Sequence, residues 1–189
     1  MAPKKDKKEA ILEAMLDLVA EHGFHNAPMS LLAKRSGASP GVIYHYFPSK
    51  EDLIHALYLR VKTAKREIVL AGYSTDMPIK NAFLHFWTNA YLFYSTHLRE
   101  TRFLDQYESS PFCRTAFHQH EEVIDPLVLH FRKTFRTKKT GGILKDLPLE
   151  AIHELSFGLA LRLAKQAPNL KPAALKKIAE AAWDALIYK

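Results

Sequence analysis

The residues best suited to chemistry lie between Leu31 and Leu53, in the run Leu-Leu-Ala-Lys-Arg-Ser-Gly-Ala-Ser-Pro-Gly-Val-Ile-Tyr-His-Tyr-Phe47 followed by Pro48-Ser-Lys-Glu-Asp-Leu53. Hydroxyls, two phenols and an imidazole suit hydrogen bonding to phosphates and base edges rather than covalent catalysis. Successive helical positions point ~100° apart, so the three rings of Tyr44-His45-Tyr46 cannot all be buried. Some must face outward, while Ile43 and Phe47 are expected to face the core. The small residues Ser39, Pro40 and Gly41 would let a backbone approach a duplex closely.

Other constellations are weaker. Glu150-Ala-Ile-His153 is a Glu-x-x-His, but a di-iron bundle needs a second copy and further inward glutamates, and the chain has no second copy. His118-Gln-His120-Glu121 lacks the later histidine of a zinc-protease helix, because position 124 is Ile. The seven glycines are too scattered to cradle a phosphate, and the lone Cys113 has no thiolate-activating signature beyond Arg114. No catalytic residue, metal ligand or cofactor is therefore assigned. Two rival readings stand beside DNA recognition: a small helical metalloenzyme using the histidines of 85–130, and a helical binding module that has lost its operator. Stoichiometric metal without DNA affinity would identify the first, and failure to enrich a palindrome from random duplexes the second.

The elements that must position Tyr44 and its neighbours are short helices. Leu31, Leu32 and Ala33 carry one that Gly37 closes, since glycine tolerates the left-handed conformation of a turn. Ser39 can cap the next, with Pro40 at its first position, and Pro48-Ser49 ends that helix and caps a fourth. This is the pattern of a helix-turn-helix, whose second helix enters the major groove. Ahead of it, Ile11, Leu12, Met15, Leu18 and Val19 form one apolar face that stops at His22-Gly23. Longer helical spans follow at roughly 77–97, 100–108, 112–137, 148–166 and 172–187, with Pro126 placed to kink the third of these. The chain reads as all-α, with about nine helices.

Composition bounds the rest. The 189 residues are 48% apolar, with no run long enough to span a membrane, and the polar start lacks the apolar stretch of a secretory signal. A cytoplasmic protein is expected, and one cysteine fits that compartment. The net charge of +7 divides unevenly: +4 over residues 1–66, −4 over 67–130, +6 over 131–145 and +1 over 146–189. The basic start suits an anionic partner. The cluster Arg132, Lys133, Arg136, Lys138, Lys139 and Lys145 is better read as a solvated face, so the motif, not the total charge, carries the argument for DNA.

Over residues 8–60 the chain resembles the TetR family of bacterial transcriptional repressors. The resemblance rests on the first helix ending in Gly23-Phe24, the Leu-Ala…Gly-Ala-Ser-x-Gly core, Tyr44-His45-Tyr46-Phe47 and Ser49-Lys50-Glu51-Asp52-Leu53. It implies a three-helix DNA-binding domain over 1–50 and a larger helical ligand-binding and dimerisation domain over 51–189. It also implies recognition contacts from Ser39, Gly41, Tyr44 and His45, with Pro40 beside them and Tyr46 standing between contact and packing. Lys50, at a helix N-terminus, would bind a phosphate. Where many members carry a hydroxyl opening the second helix, a Lys before the glycine and a Thr after it, this chain has Ala27-Pro28, Pro40 and Val42. The arm Lys4, Lys5, Lys7 and Lys8 is expected to supply compensating charge.

Beyond residue 60 only the order of helix lengths follows the family. Twelve of the 21 aromatic residues fall between 83 and 135, ten of them in the acidic part of the chain. Most are expected in the core, yet rings with a nearby carboxylate also suit a small apolar or cationic organic ligand. Trp87, Tyr91, Tyr94, Phe103, Tyr107 and Phe117 are the expected lining. Similar regulators pair their last two helices into a four-helix bundle, and a palindromic operator requires a two-fold protein, so a homodimer through about 150–187 is expected. The whole reads as a ligand-released repressor.

Overall fold

A computed structural model describes residues 6–112, 136, 139 and 141–188. They are helical, with eight helices and no strand among the described residues; the predicted helix over 112–137 falls almost wholly outside them. The helices are α1 (Lys7–His22), α2 (Met29–Ser36), α3 (Pro40–Tyr46), α4 (Lys50–Leu70), α5 (Ile79–Thr96) and α6 (Leu98–Glu108), then α7 and α8. Helix α7 has three contiguous parts, α-helical Leu149–His153, π-helical Glu154–Gly158 and α-helical Leu159–Gln166, and α8 is Pro172–Leu186. The described residues cluster into two compact units. One draws on Met1–Ala64 and His97–Glu121, the other on Lys65–Thr96 and Glu122–Lys189, with the chain passing between them inside α4.

In the first unit, α1 begins where the Asp6 carboxylate accepts the Lys8 N–H at 3.1 Å. Its apolar face buries Ile11, Leu12, Met15, Leu18 and Val19, the set expected from 3.6-residue spacing. Gly23 ends the helix with φ +78°, and a Cβ there would lie 3.1 Å from Gln106 Oε1, so both conformation and space favour glycine. Helices α2 and α3 pack against α1 through Leu32 and Ile43, both fully buried. Helix α6 also packs along α1 and contributes Thr101, Phe103, Leu104 and Tyr107 to this core.

In the second unit, α5 is the central helix, packed by α7 and α8. It buries Ala82, Phe83, Phe86, Trp87, Ala90, Tyr91, Phe93 and Tyr94. Small residues of α7, Ser156, Gly158, Ala160 and Ala164, are buried in this unit, as are Leu175, Ala179, Ala182, Trp183 and Leu186 of α8. Polar tips of the large rings end on backbone: Trp87 Nε1 donates to Ser156 O at 3.0 Å, within the π-helical turn. The Tyr91 hydroxyl donates to Ala167 O and accepts from Leu170 N at 3.1 Å, tying α5 to the α7–α8 connection. Behind α8, Lys145 N donates to Leu186 O at 2.7 Å and Tyr188 N to Ile143 O at 2.9 Å.

Candidate nucleic-acid interface

The geometry of α2, the turn and α3 follows from a few local bonds. Gly37 adopts the left-handed conformation at φ 66°, ψ 17° and ends α2. The Ser36 hydroxyl accepts Ala38 N at 3.3 Å, and Ala38 turns its methyl into the core. Ser39 then caps α3 by accepting Val42 N on Oγ at 3.4 Å, with Pro40 at the first helical position. With its oxygen accepting, the Ser39 O–H remains a donor for a ligand.

Two residues fix α3 from below, since Ile43 and Phe47 are buried. Everything singled out on its outer side is open: Ser39, Pro40, Gly41, Tyr44, His45 and Tyr46 are all exposed. Tyr44, at 48%, is the most exposed large ring of α3. Tyr46 is exposed as well, with its ring edge-on to His45 at 5.4 Å between centroids. The outer side thus presents one free hydroxyl donor, two phenols and an imidazole over a backbone kept bare by Pro40 and Gly41. Lys7 and Lys8, expected in a flexible arm, instead form the first turn of α1, with Lys8 standing 5.9 Å from the centroid of the Phe47 ring, while Lys4 and Lys5 lie outside the described residues.

Lys50 is placed differently from the outer residues. Its ammonium donates to Phe24 O at 3.1 Å in a half-buried position, leaving two of its three N–H donors for another acceptor. Ser49 and Asp52 meanwhile close the start of α4: Ser49 Oγ accepts Asp52 N at 3.0 Å and donates to Asp52 Oδ2 at 2.7 Å. With Glu51 also in this first turn, the helix N-terminus already carries two negative side chains.

A feature of α1 escaped the sequence reading. Glu9, Glu13, Asp17 and Glu21 recur every fourth residue along one side, and each meets an arginine from another helix. Arg60 of α4 binds Glu9 and, at 3.0 Å, Glu13. Arg99 of α6 binds Glu13 at 2.7 Å and Asp17. Arg35 of α2 binds Glu21 at 2.8 Å. Burial pushes the Glu13 carboxyl up, but the two guanidiniums outweigh it and hold the group below the usual carboxylate range. The bonds to Asp17 and Glu13 raise Arg99, and the bond to Arg35 lowers Glu21. The i, i+4 acidic spacing was visible in the sequence; the arginines were not assignable, because they come from distant segments.

The residues expected to line a ligand site are all buried where described, but not in one unit. Trp87, Tyr91 and Tyr94 belong to α5 in the second unit; Phe103 and Tyr107 belong to α6 in the first. Phe117 lies outside the described residues. The Tyr94 hydroxyl accepts from Lys65, whose ammonium also sits 4.6 Å from the centroid of its ring. Tyr107 stacks on Tyr58 at 4.2 Å between centroids, and Phe103 meets Phe24 edge-on at 5.7 Å. Of the second basic cluster, Lys145 reaches Ala185 O at 2.7 Å, near the C-terminal end of α8, where a cation is favourable, and Lys139 pairs with Asp146. Arg132, Lys133 and Lys138 lie outside the described residues. Among the described residues no group of three His, Cys, Asp or Glu could hold a metal ion, and the His118–Glu121 stretch is not among them.

Comparison with known proteins covers both parts of the chain. Residues 11–57 match the family described as bacterial regulatory proteins, tetR family, and residues 78–187 match the tetracyclin repressor-like C-terminal domain. An HTH-type transcriptional regulator of Haemophilus influenzae is 26% identical over 187 residues, 97% of each chain. The transcriptional repressor AcnR of Corynebacterium diphtheriae is 29% identical over 147 residues, 78% of this chain and 73% of the repressor. Among solved structures, a TetR-family regulator of Haemophilus influenzae superposes with a TM-score of 0.76 at 26% identity, over the whole of both chains. A TetR-family protein of Vibrio parahaemolyticus does so at 0.72 and 31% identity, over 97% of this chain and 100% of that one.

Proposed function

This chain belongs to the TetR family of bacterial regulatory proteins and is a DNA-binding transcriptional regulator, and on that premise we propose that it is a repressor released from a palindromic operator by a small organic inducer. The carrying observation is α3 itself, seven residues capped at Ser39 and seated by Ile43 and Phe47, with the remaining functional side chains outward. Tyr44 and His45 are the proposed base or phosphate contacts, Ser39 a hydroxyl donor, and Pro40 and Gly41 the close-approach backbone. Tyr46 flanks them, and the free donors of Lys50 take a phosphate at the edge of the site.

Repression and the two-fold assembly are proposals supported by different observations. A relative aligned over 78% of this chain carries the name repressor. Leu155 of α7 is exposed, and Ala174, Ile178, Ala181 and Ala185 form a partly exposed apolar stripe on α8. This suits a homodimer through 150–187, with reading carried by 1–50 and sensing by 51–189. The proposed inducer is apolar or cationic and bound by aromatic residues, Trp87, Tyr91 and Tyr94 among them. It must bind the DNA-incompetent state more tightly than the competent one, since equal affinity shifts nothing.

The test is selection of a duplex from a random pool by the full chain, followed by Tyr44→Ala. The substituted chain is expected to lose operator affinity about tenfold or more, with unchanged dimer mass by analytical ultracentrifugation. Enrichment of no palindrome would overturn the proposal.

A further inference from the structure

The acidic side of α1 poses a physical problem for a DNA reader. Four carboxylates along the scaffold of α2 and α3 oppose a polyanion unless they are compensated. Here the compensation is directional, because each arginine comes from a different helix: Arg35 from α2, Arg60 from α4 and Arg99 from α6. Arg99 is the most connected. Its guanidinium spans Glu13 and Asp17, one turn apart, and reaches Glu100 of its own helix at 3.7 Å.

Further contacts continue this attachment along α1. Gln106 Nε2 donates to Val19 O at 3.2 Å, near the C-terminal end of α1. One turn back on α6, Phe103 meets Phe24, whose carbonyl holds Lys50 at the start of α4. Helix α6 therefore touches α1 from Glu13 to its end, and then the loop leading into the helix-turn-helix.

We infer that Arg99 is a positioning residue for DNA recognition: by joining Glu13 and Asp17 it sets α1, and with it α2 and α3, in the operator-competent arrangement without touching DNA. The inference rests on the DNA-reading proposal above and assigns its control to one side chain of α6. Positioning and simple charge predict opposite signs at Asp17. A field effect makes Asp17→Asn bind DNA more tightly, because a negative charge is removed. Positioning makes it bind more weakly, because Arg99 loses a partner.

The experiment uses the full chain and the duplex enriched by the wild-type protein. Arg99→Gln is expected to weaken operator affinity about tenfold and Asp17→Asn about threefold, with the double variant no weaker than Arg99→Gln alone. Arg99→Lys, which keeps the charge and one of the two pairings, should recover most of the affinity. The dependence of affinity on salt should change by less than one phosphate contact's slope, since only a partly screened ion pair and no phosphate contact is lost. Tighter binding by Asp17→Asn, additive losses, or a slope reduced by about one phosphate in Arg99→Gln would each overturn the inference. Unchanged Arg99→Gln affinity on an enriched duplex overturns it alone, whereas failure to enrich any duplex overturns the DNA-reading proposal beneath it.

Discussion

The two units solve the same packing problem with different interactions. In the first, polar links between helices are largely side chain to side chain and half-exposed: guanidinium on carboxylate along the acidic side of α1. In the second, apart from Lys65 on the Tyr94 hydroxyl, the links named above run from ring or amide side chains to backbone carbonyls: Trp87 to Ser156, Tyr91 to Ala167, and likewise Asn89 to Val69. Exposed ion pairs are screened by salt and contribute little each, whereas a buried ring loses dispersion and hydration terms that salt does not touch. The first arrangement can be adjusted by ionic conditions; the second resists them.

That contrast predicts a graded set of effects. Truncating Trp87 to Ala should be the most severe, removing a fully buried ring and leaving Ser156 O without its indole donor. A loss of about 3–5 kcal/mol is expected, read from urea unfolding, with the same decrement at low and high salt. If the decrement falls markedly in high salt, the second unit is not held as described.

A pH series should separate the units next. The Glu13 carboxyl is depressed in the folded chain, so its contribution is complete above its ordinary value of 4.5 and lost as pH falls through the depressed folded value. The thermal-stability gap between wild type and Glu13→Gln should therefore be widest near neutrality and shrink as pH falls below 4.5. A gap that widens on acidification would contradict the ion-pair account. The smallest effect belongs to Arg35→Ala, which breaks a pair open to solvent on both sides. Its change in stability should be the smallest of the set and vanish in high salt, measured by chemical denaturation.

Much of the reader was legible because its signals are local. Gly37, Ser39, Pro40 and Ser49 act within three or four residues of themselves, so caps and turn could be placed from spacing alone. Outward Tyr44 and inward Ile43 and Phe47 follow from helical periodicity on a seven-residue helix. The aromatic region was less legible. Burial of Trp87 and Tyr91 was expected, but periodicity could not say that their polar tips would end on Ser156 O and Ala167 O. Nor could it reveal the π-helical turn over Glu154–Gly158, or that Phe103 and Tyr107 would pack in a different unit from Trp87. Likewise Lys50 was expected to bind a phosphate, but spacing alone could not say that one of its donors would be held by a carbonyl 26 residues earlier in the chain.

By itself, then, the sequence determined the helical class, the short capped helix that presents Tyr44 and His45, and the family resemblance that the comparisons bear out. These depend on side chains acting on their own backbone, where a few residues suffice. Tertiary structure alone decided which helix would hold α1. Arg99 and Asp17 are 82 residues apart, and nothing local distinguishes Arg99 from the other arginines of the chain. Only packing α6 along α1 brings its guanidinium between two carboxylates, because an ion pair depends on distance in space and not on separation along the chain.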